Sequence, residues 1–169
     1  MNIHAASLGQ RLIAESASDP RLVREADPGG AWLGFLRSHA TLLRLLDVEL
    51  RREAGLPLAD FDVLMQLALG GDGGLRMTDL ARRTLVSRSG MTRRVAQLER
   101  AGLVTRSSAS GDGRSIRAEL TPLGEDALRR AVPVHTRGIE RHFLRKLSPG
   151  QLSALGEAVT ALQAECDFG

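Results

Sequence analysis

Apolar residues recur at three- and four-residue steps through most of this chain, and the steps break at glycines, prolines and small polar clusters. From Ala31 to Ala54 the residues Trp32, Phe35, Leu36, His39, Leu42, Leu43, Leu46 and Leu50 form one helical stripe. Gly55 ends that helix and Pro57 bars its continuation. The stripe is long for a helix covering a small unit, so part of it is expected to meet another chain. Asp60 is read as the cap of a second helix, Phe61 to Leu69, with Phe61, Leu64, Met65 and either Leu67 or Ala68 inward. Gly70 to Gly74 reads as a loop.

The next stretch predicts two short helices and a hairpin. Met77, Leu80 and Ala81 share one side of a helix that Thr78 is placed to cap. A tight turn follows at Thr84-Leu85-Val86, and Ser87 is placed to cap a helix reaching Ala101. Along it Met91, Val95, Leu98 and Gly102 fall on one side, and Ser89, Gly90, Arg93, Ala96, Gln97 and Arg100 on the other. The second side is cationic and amide-bearing with only small residues between, which suits a DNA major groove: Arg pairs with guanine edges and Gln with adenine. Val104-Thr105-Arg106 and Ile116 to Leu120 read as two strands joined by the turn-rich run Ser107 to Arg114. An arginine on a narrow ribbon, Arg114, is shaped for a minor groove. Asp112 is expected to pair with an arginine and fix the hairpin.

Thr121-Pro122 opens the next helix, with a capping hydroxyl and proline at the first helical position. It is predicted to run toward Leu147 with Leu123, Ala127, Leu128, Ala131, Val134, Ile139, Phe143 and Leu147 available for packing, and to kink or break at Pro133. Ser148 and Gln151 fit a capping box for a last helix carrying Leu152, Leu155, Val159, Leu162 and Cys166 on one side. Residues 1–30 are mixed in pattern, with helical potential at Leu8 to Glu15. They are read as an extension that is either a mobile arm or an ordered segment packed on a partner subunit.

Charge sharpens the picture. The net charge is only +3, but ten arginines (76, 82, 83, 88, 93, 94, 100, 106, 114 and 117) face Asp79, Glu99 and Asp112 within one stretch. Such a local excess is the footprint of a polyanion. Lys146 is the single lysine, a bias that weighs little because genome composition produces it as well. One cysteine excludes an internal disulfide framework and a multi-cysteine zinc site. No apolar run approaches a membrane span, and no signal peptide is read at the start, so a cytoplasmic protein is expected. The sequence holds no G-x-S-x-G, no Walker loop at Gly70 to Gly74 and no Cys/His cluster, so no enzyme and no cofactor are expected.

Leu98-Glu99-Arg100-Ala101-Gly102-Leu103-Val104, then Asp112-Gly113-Arg114-Ser115, then Leu120-Thr121-Pro122-Leu123-Gly124 resembles the MarR family of bacterial winged helix-turn-helix regulators. The resemblance runs from about Ala31 to the C-terminus. It implies a mainly α fold with a small β-hairpin wing. A DNA-binding winged helix-turn-helix domain (56–121) would merge with a helical dimerisation region (31–55 and 122–169) through which two subunits interleave. It also implies a third short strand at Leu75-Arg76-Met77. The function implied is a ligand-responsive repressor that binds a palindromic operator in double-stranded DNA as a homodimer. A symmetric dimer reads two half-sites about one turn apart.

The expected base contacts are Ser89, Arg93 and Gln97, with Ser87, Thr78, Arg88 and Thr92 near helix N-termini for phosphates. Arg94 lies nearer the apolar border, so it either reaches DNA or pairs with an acidic residue inside the protein. Arg106 and Arg117 flank the hairpin and serve either DNA-backbone contacts or the strand surface. By resemblance, Trp32, His39, Phe61, Asp62 and Met65 are candidates for a cleft holding a small aromatic or phenolic effector, although such residues on helices are commonly core. His135 and His142 share a helix side, but Glu140 is offset and no metal site is expected. Two other functions stay open: an effector-independent or architectural DNA-binding protein, and a redox sensor through Cys166. The position of Cys166 on an apolar helix side favours a packing thiol instead.

Overall fold

The computed structural model describes residues 28–71, 73–84, 87–108 and 116–165. The elements run α1 (Pro28–Ala54), α2 (Leu58–Leu69), β1 (Leu75–Arg76), α3 (Met77–Arg83), α4 (Arg88–Arg100), β2 (Val104–Ser108), β3 (Ile116–Leu120) and α5 (Pro122–His142). A 3-10 turn (Leu144–Lys146) and α6 (Pro149–Glu165) follow. The chain divides into two compact units, Met1–Leu42 and Leu43–Gly169.

In the first unit the described part is the N-terminal half of α1. Trp32, Phe35 and His39 stack in succession along it, with ring centroids 6.2 and 6.3 Å apart. Trp32 is 60% and Phe35 51% exposed.

The second unit is built on one apolar core. Leu46 and Leu50 enter it from α1, Phe61, Val63, Leu64 and Leu67 from α2, and Leu80 and Ala81 from α3. Met91, Val95 and Leu98 come from α4, and Ala127, Leu128, Ala131 and Val134 from α5. The sheet adds Leu75, Val104 and Ala118. Its strand order is β1-β3-β2, all antiparallel, with Leu75 opposite Ala118 and Val104 opposite Leu120. This is the mainly α fold with a small three-stranded wing that the sequence implies.

Local signals account for most boundaries. Gly55 closes α1 at φ +66, a conformation that glycine adopts without penalty. Thr121 Oγ1 accepts the Gly124 N–H at 3.0 Å at the start of α5. Ser148 and Gln151 complete their box: the Ser148 N–H donates to Gln151 Oε1 at 2.8 Å and the Gln151 N–H to Ser148 Oγ at 3.3 Å.

Several expectations are corrected. The helix expected from Ala31 begins at Pro28, inside the segment read as an extension. Asp60 does not cap α2, which starts at Leu58 after Pro57; Asp60 lies in its first turn. Thr78 does not cap α3 either: the helix starts at Met77 with Arg76 before it and no side-chain cap, which also leaves Met77 out of the strand. α5 runs through Pro133 and then stops at His142 rather than continuing toward Leu147. Pro133 is exposed and lies between buried Ala131 and Val134, so packing before and after it holds the helix although its ring leaves the Arg129 carbonyl without the usual helical donor. The hairpin strand β2 extends through Ser107 and Ser108, residues assigned above to the turn. Leu85, Val86, the wing tip with Asp112 and Arg114, Cys166 and residues 1–27 lie outside the described residues.

Candidate nucleic-acid interface

The site is the outer side of α4. Ser87 fixes its first turn: Ser87 Oγ accepts the Gly90 N–H at 3.2 Å and lies 3.3 Å from Ser89 Oγ. Met91, Val95 and Leu98 then anchor the inner side, each 2% exposed or less. Helical geometry places Arg93 and Arg100 roughly opposite that stripe, with Ser89, Ala96 and Gln97 beside them. Ser89, Arg93, Gln97 and Arg100 are exposed, as are Arg88 and Thr92. Thr92 Oγ1 donates to the Arg88 carbonyl at 2.9 Å, which leaves its oxygen lone pairs outward. Thr78 is exposed on the first turn of α3. The predicted residues Ser87, Arg88, Ser89, Thr92, Arg93 and Gln97 thus lie on one exposed helix and its cap.

Two arginines with DNA among their expected roles are engaged within the protein. Arg94 Nη1 donates to Asp60 Oδ1 at 2.7 Å, so the open choice for Arg94 falls on the internal ion pair. Arg117 Nε and Nη2 donate to the carbonyls of Gly73 and Gly74 at 2.5 and 2.6 Å, bracing the loop that leads into β1. Arg106, the other flank of the hairpin, donates from Nε to Glu99 Oε2 at 2.8 Å. This bond holds the Glu99 carboxyl below its ordinary range.

Asp60 is the residue the sequence reading missed in this role. It carried a helix-cap assignment, and its partner stands 34 residues away. The hint within the sequence was Arg94 at the border of an apolar stripe, which called for some acidic partner without naming it.

The effector candidates fall in both units. Trp32 and His39 belong to the first unit, stacked through Phe35. In the second unit Phe61 is 2% exposed in the core, its ring 4.4 Å from that of His135. Met65 packs partly buried against the core. Asp62 has an open outer surface, but its carboxyl is crowded by neighbouring atoms. Lost hydration raises its pKa, against the opposing charges of His135 and Arg94. Burial lowers the pKa of His135, against the charge of Asp62. Among the described residues no group of three His, Cys, Asp or Glu side chains is placed to hold a metal ion, and no helix is long and apolar enough to cross a membrane.

A capped helix with a cationic outer side, preceded by a short helix and followed by an antiparallel wing, defines a winged helix-turn-helix DNA-binding protein. The sequence model of the MarR family matches residues 54–115. Among solved structures the chain is similar to Sco3205, a MarR family transcriptional regulator from Streptomyces coelicolor in complex with DNA. The identity is 32% and the TM-score 0.77, over 83% of this chain and 92% of that one. It is similar to AbsC, a MarR family transcriptional regulator from the same organism, at 30% identity and TM-score 0.76, over 85% and 97%. A MarR family regulator from Silicibacter pomeroyi shares 26% identity at TM-score 0.66, over 83% and 92%. A search of curated protein sequences gives no match. The chain belongs to the MarR family and is a DNA-binding transcriptional regulator.

Proposed function

We propose that this protein is a cytoplasmic repressor that binds a palindromic operator as a homodimer. The two α4 helices enter successive major grooves and the two wings reach adjacent minor grooves through Arg114. The observation that carries the reading is the outer side of α4, where Arg93 and Gln97 stand exposed and opposite the buried stripe. Arg93, Gln97 and Ser89 read base edges. Ser87, Arg88, Thr92 and Thr78 hold phosphates, where hydroxyls and helix N-termini suit anionic oxygen.

The dimer assignment rests on apolar surface that a single chain leaves uncovered. Trp32, Phe35 and Leu36 on the first half of α1, and Val159 and Leu162 on α6, are all exposed. Residues 31–55 and 122–169 form the dimerisation region in this reading, and 56–121 the DNA-binding domain. A small aromatic or phenolic effector belongs to the same proposal, with Asp62 and Met65 of the second unit as its candidate contacts. It acts by favouring a dimer geometry that misplaces the two helices, since a ligand of equal affinity for both states shifts nothing.

The test is transcription of a reporter driven through DNA sequences selected by the purified protein. Repression that is lost with Arg93→Ala supports the reading. Activation, or no effect from a sequence bound tightly in solution, contradicts the repressor assignment. Release of the selected DNA by small aromatic acids supports the effector; no release across that class favours an effector-independent DNA-binding protein.

A further inference from the structure

The apolar stripe of α4 is flanked by two ion pairs, one on each side. With about 100° per residue, Arg94 lies roughly 65° to one side of the centre of Met91, Val95 and Leu98, and Glu99 roughly 75° to the other. Arg94 is tied to Asp60 of α2 at 2.7 Å, and Glu99 to Arg106 of β2 at 2.8 Å. The two anchors therefore belong to different elements, one on the helix before the DNA-binding pair and one on the wing.

The hydrophobic effect is non-directional, so burial of the stripe sets which side of the helix faces the core more sharply than it sets the last degrees of rotation. A charge-assisted hydrogen bond has a preferred direction and length. Two of them on opposite flanks oppose rolling in both senses. The consequence at the outer side is large on the scale of base recognition. A roll of about 20° moves an atom on the helix surface by about 2 Å, given a helix radius of about 5–6 Å with side chains. Bidentate pairing of arginine with guanine does not survive such a shift.

We propose that Asp60 and Arg106 are positioning residues for sequence reading. Acting through Arg94 and Glu99, they set the rotation of α4 and so decide which base edges Arg93 and Gln97 meet. The inference rests on the reading of α4 as the base-contacting helix. Neither pair is deeply buried: side-chain exposures are 31% and 20% for Arg94 and Asp60, and 33% and 35% for Arg106 and Glu99. Pairs this open add little to folding stability, so their effect on reading separates from any effect on stability.

The experiment uses the full chain and the DNA sequence it selects. Affinity is measured for that sequence, for its single-base variants and for non-specific DNA, alongside the thermal unfolding midpoint. The proteins are wild type, Asp60→Asn, Glu99→Gln, the double variant, and the charge-swapped pair Asp60→Arg with Arg94→Asp. Each single variant lowers discrimination between the selected sequence and its variants on the order of fivefold, the lower end of what one base contact supplies. The double variant loses more, and the swapped pair regains discrimination. Non-specific affinity holds or rises in Asp60→Asn, Glu99→Gln and the double variant, because releasing Arg94 or Arg106 frees a cation near the phosphates. Unchanged discrimination in the double variant overturns the inference, as does a loss that tracks the unfolding midpoint or falls equally on specific and non-specific DNA. A wild-type protein with no sequence preference overturns the base-contacting reading itself, and that outcome is visible before any variant is made.

Discussion

Asp47 Oδ1 accepts the backbone N–H of Leu58 at 2.9 Å, so the first turn of α2 is capped by a side chain eleven residues earlier, on α1. Pro57, which precedes the helix, supplies no side-chain cap. Asp47 Oδ2 also takes the Arg51 Nε–H at 2.7 Å. Asp47→Ala leaves that helix end without its acceptor and lowers stability by about 1 kcal/mol, the usual size of a lost cap. Equilibrium urea unfolding measures it.

The same carboxyl makes stability depend on acid. The bond from Arg51, and then that from the Leu58 N–H, hold its pKa below the ordinary 3.8. A carboxylate whose folded pKa is depressed contributes fully above the unfolded value and loses that contribution as pH falls through the folded one. Wild type therefore loses stability below about pH 4 more steeply than Asp47→Asn, as unfolding midpoints across pH 2–6 will record.

His135 acts in a higher window. Burial beside Phe61 lowers its pKa from 6.5, with the charge of Asp62 opposing. The unfolded chain binds the proton more readily, so stability present above pH 6.5 declines as pH drops toward the folded value. Replacement His135→Leu flattens the stability profile between pH 7 and 5; an unchanged slope there contradicts the assignment.

Gly124 allows the start of α5 to lie on the end of α4's turn. A Cβ there falls on the Leu103 carbonyl oxygen, a backbone atom with no room to swing away. Gly124→Ala costs on the order of 1–3 kcal/mol, as overpacking does, and thermal unfolding reads it directly.

How far the sequence was legible follows from the range of each interaction. Ser87, Thr121-Pro122 and Ser148 with Gln151 act within a few residues, and each was readable from local spacing alone. The inward set Met91, Val95 and Leu98 was readable because helical period and burial agree. Asp60 with Arg94, Asp47 with Leu58, and Arg117 with the Gly73 and Gly74 carbonyls join distant segments. No local rule specifies them, so spacing points Asp60 to a cap and leaves Arg117 open between the DNA backbone and the strand surface. At Pro133 propensity predicts a kink or a break, and burial on both sides carries the helix through without a break.

At the DNA, Arg93→Ala costs on the order of 1–3 kcal/mol and relaxes preference at one base position. Arg114→Ala weakens binding more evenly across sequences and flattens the salt dependence of affinity. Titrations at several salt concentrations distinguish the two patterns.

The most direct test of the central claim is selection of bound sequences from a random double-stranded DNA pool at fixed salt, with binding stoichiometry. An inverted repeat with half-sites about 10 base pairs apart, bound by one dimer, is the expected result. Arg93→Ala then loses preference at symmetric positions in both halves. An absence of any enriched sequence, or enrichment that Arg93→Ala and Gln97→Ala leave untouched, would contradict the claim that the outer side of α4 reads DNA.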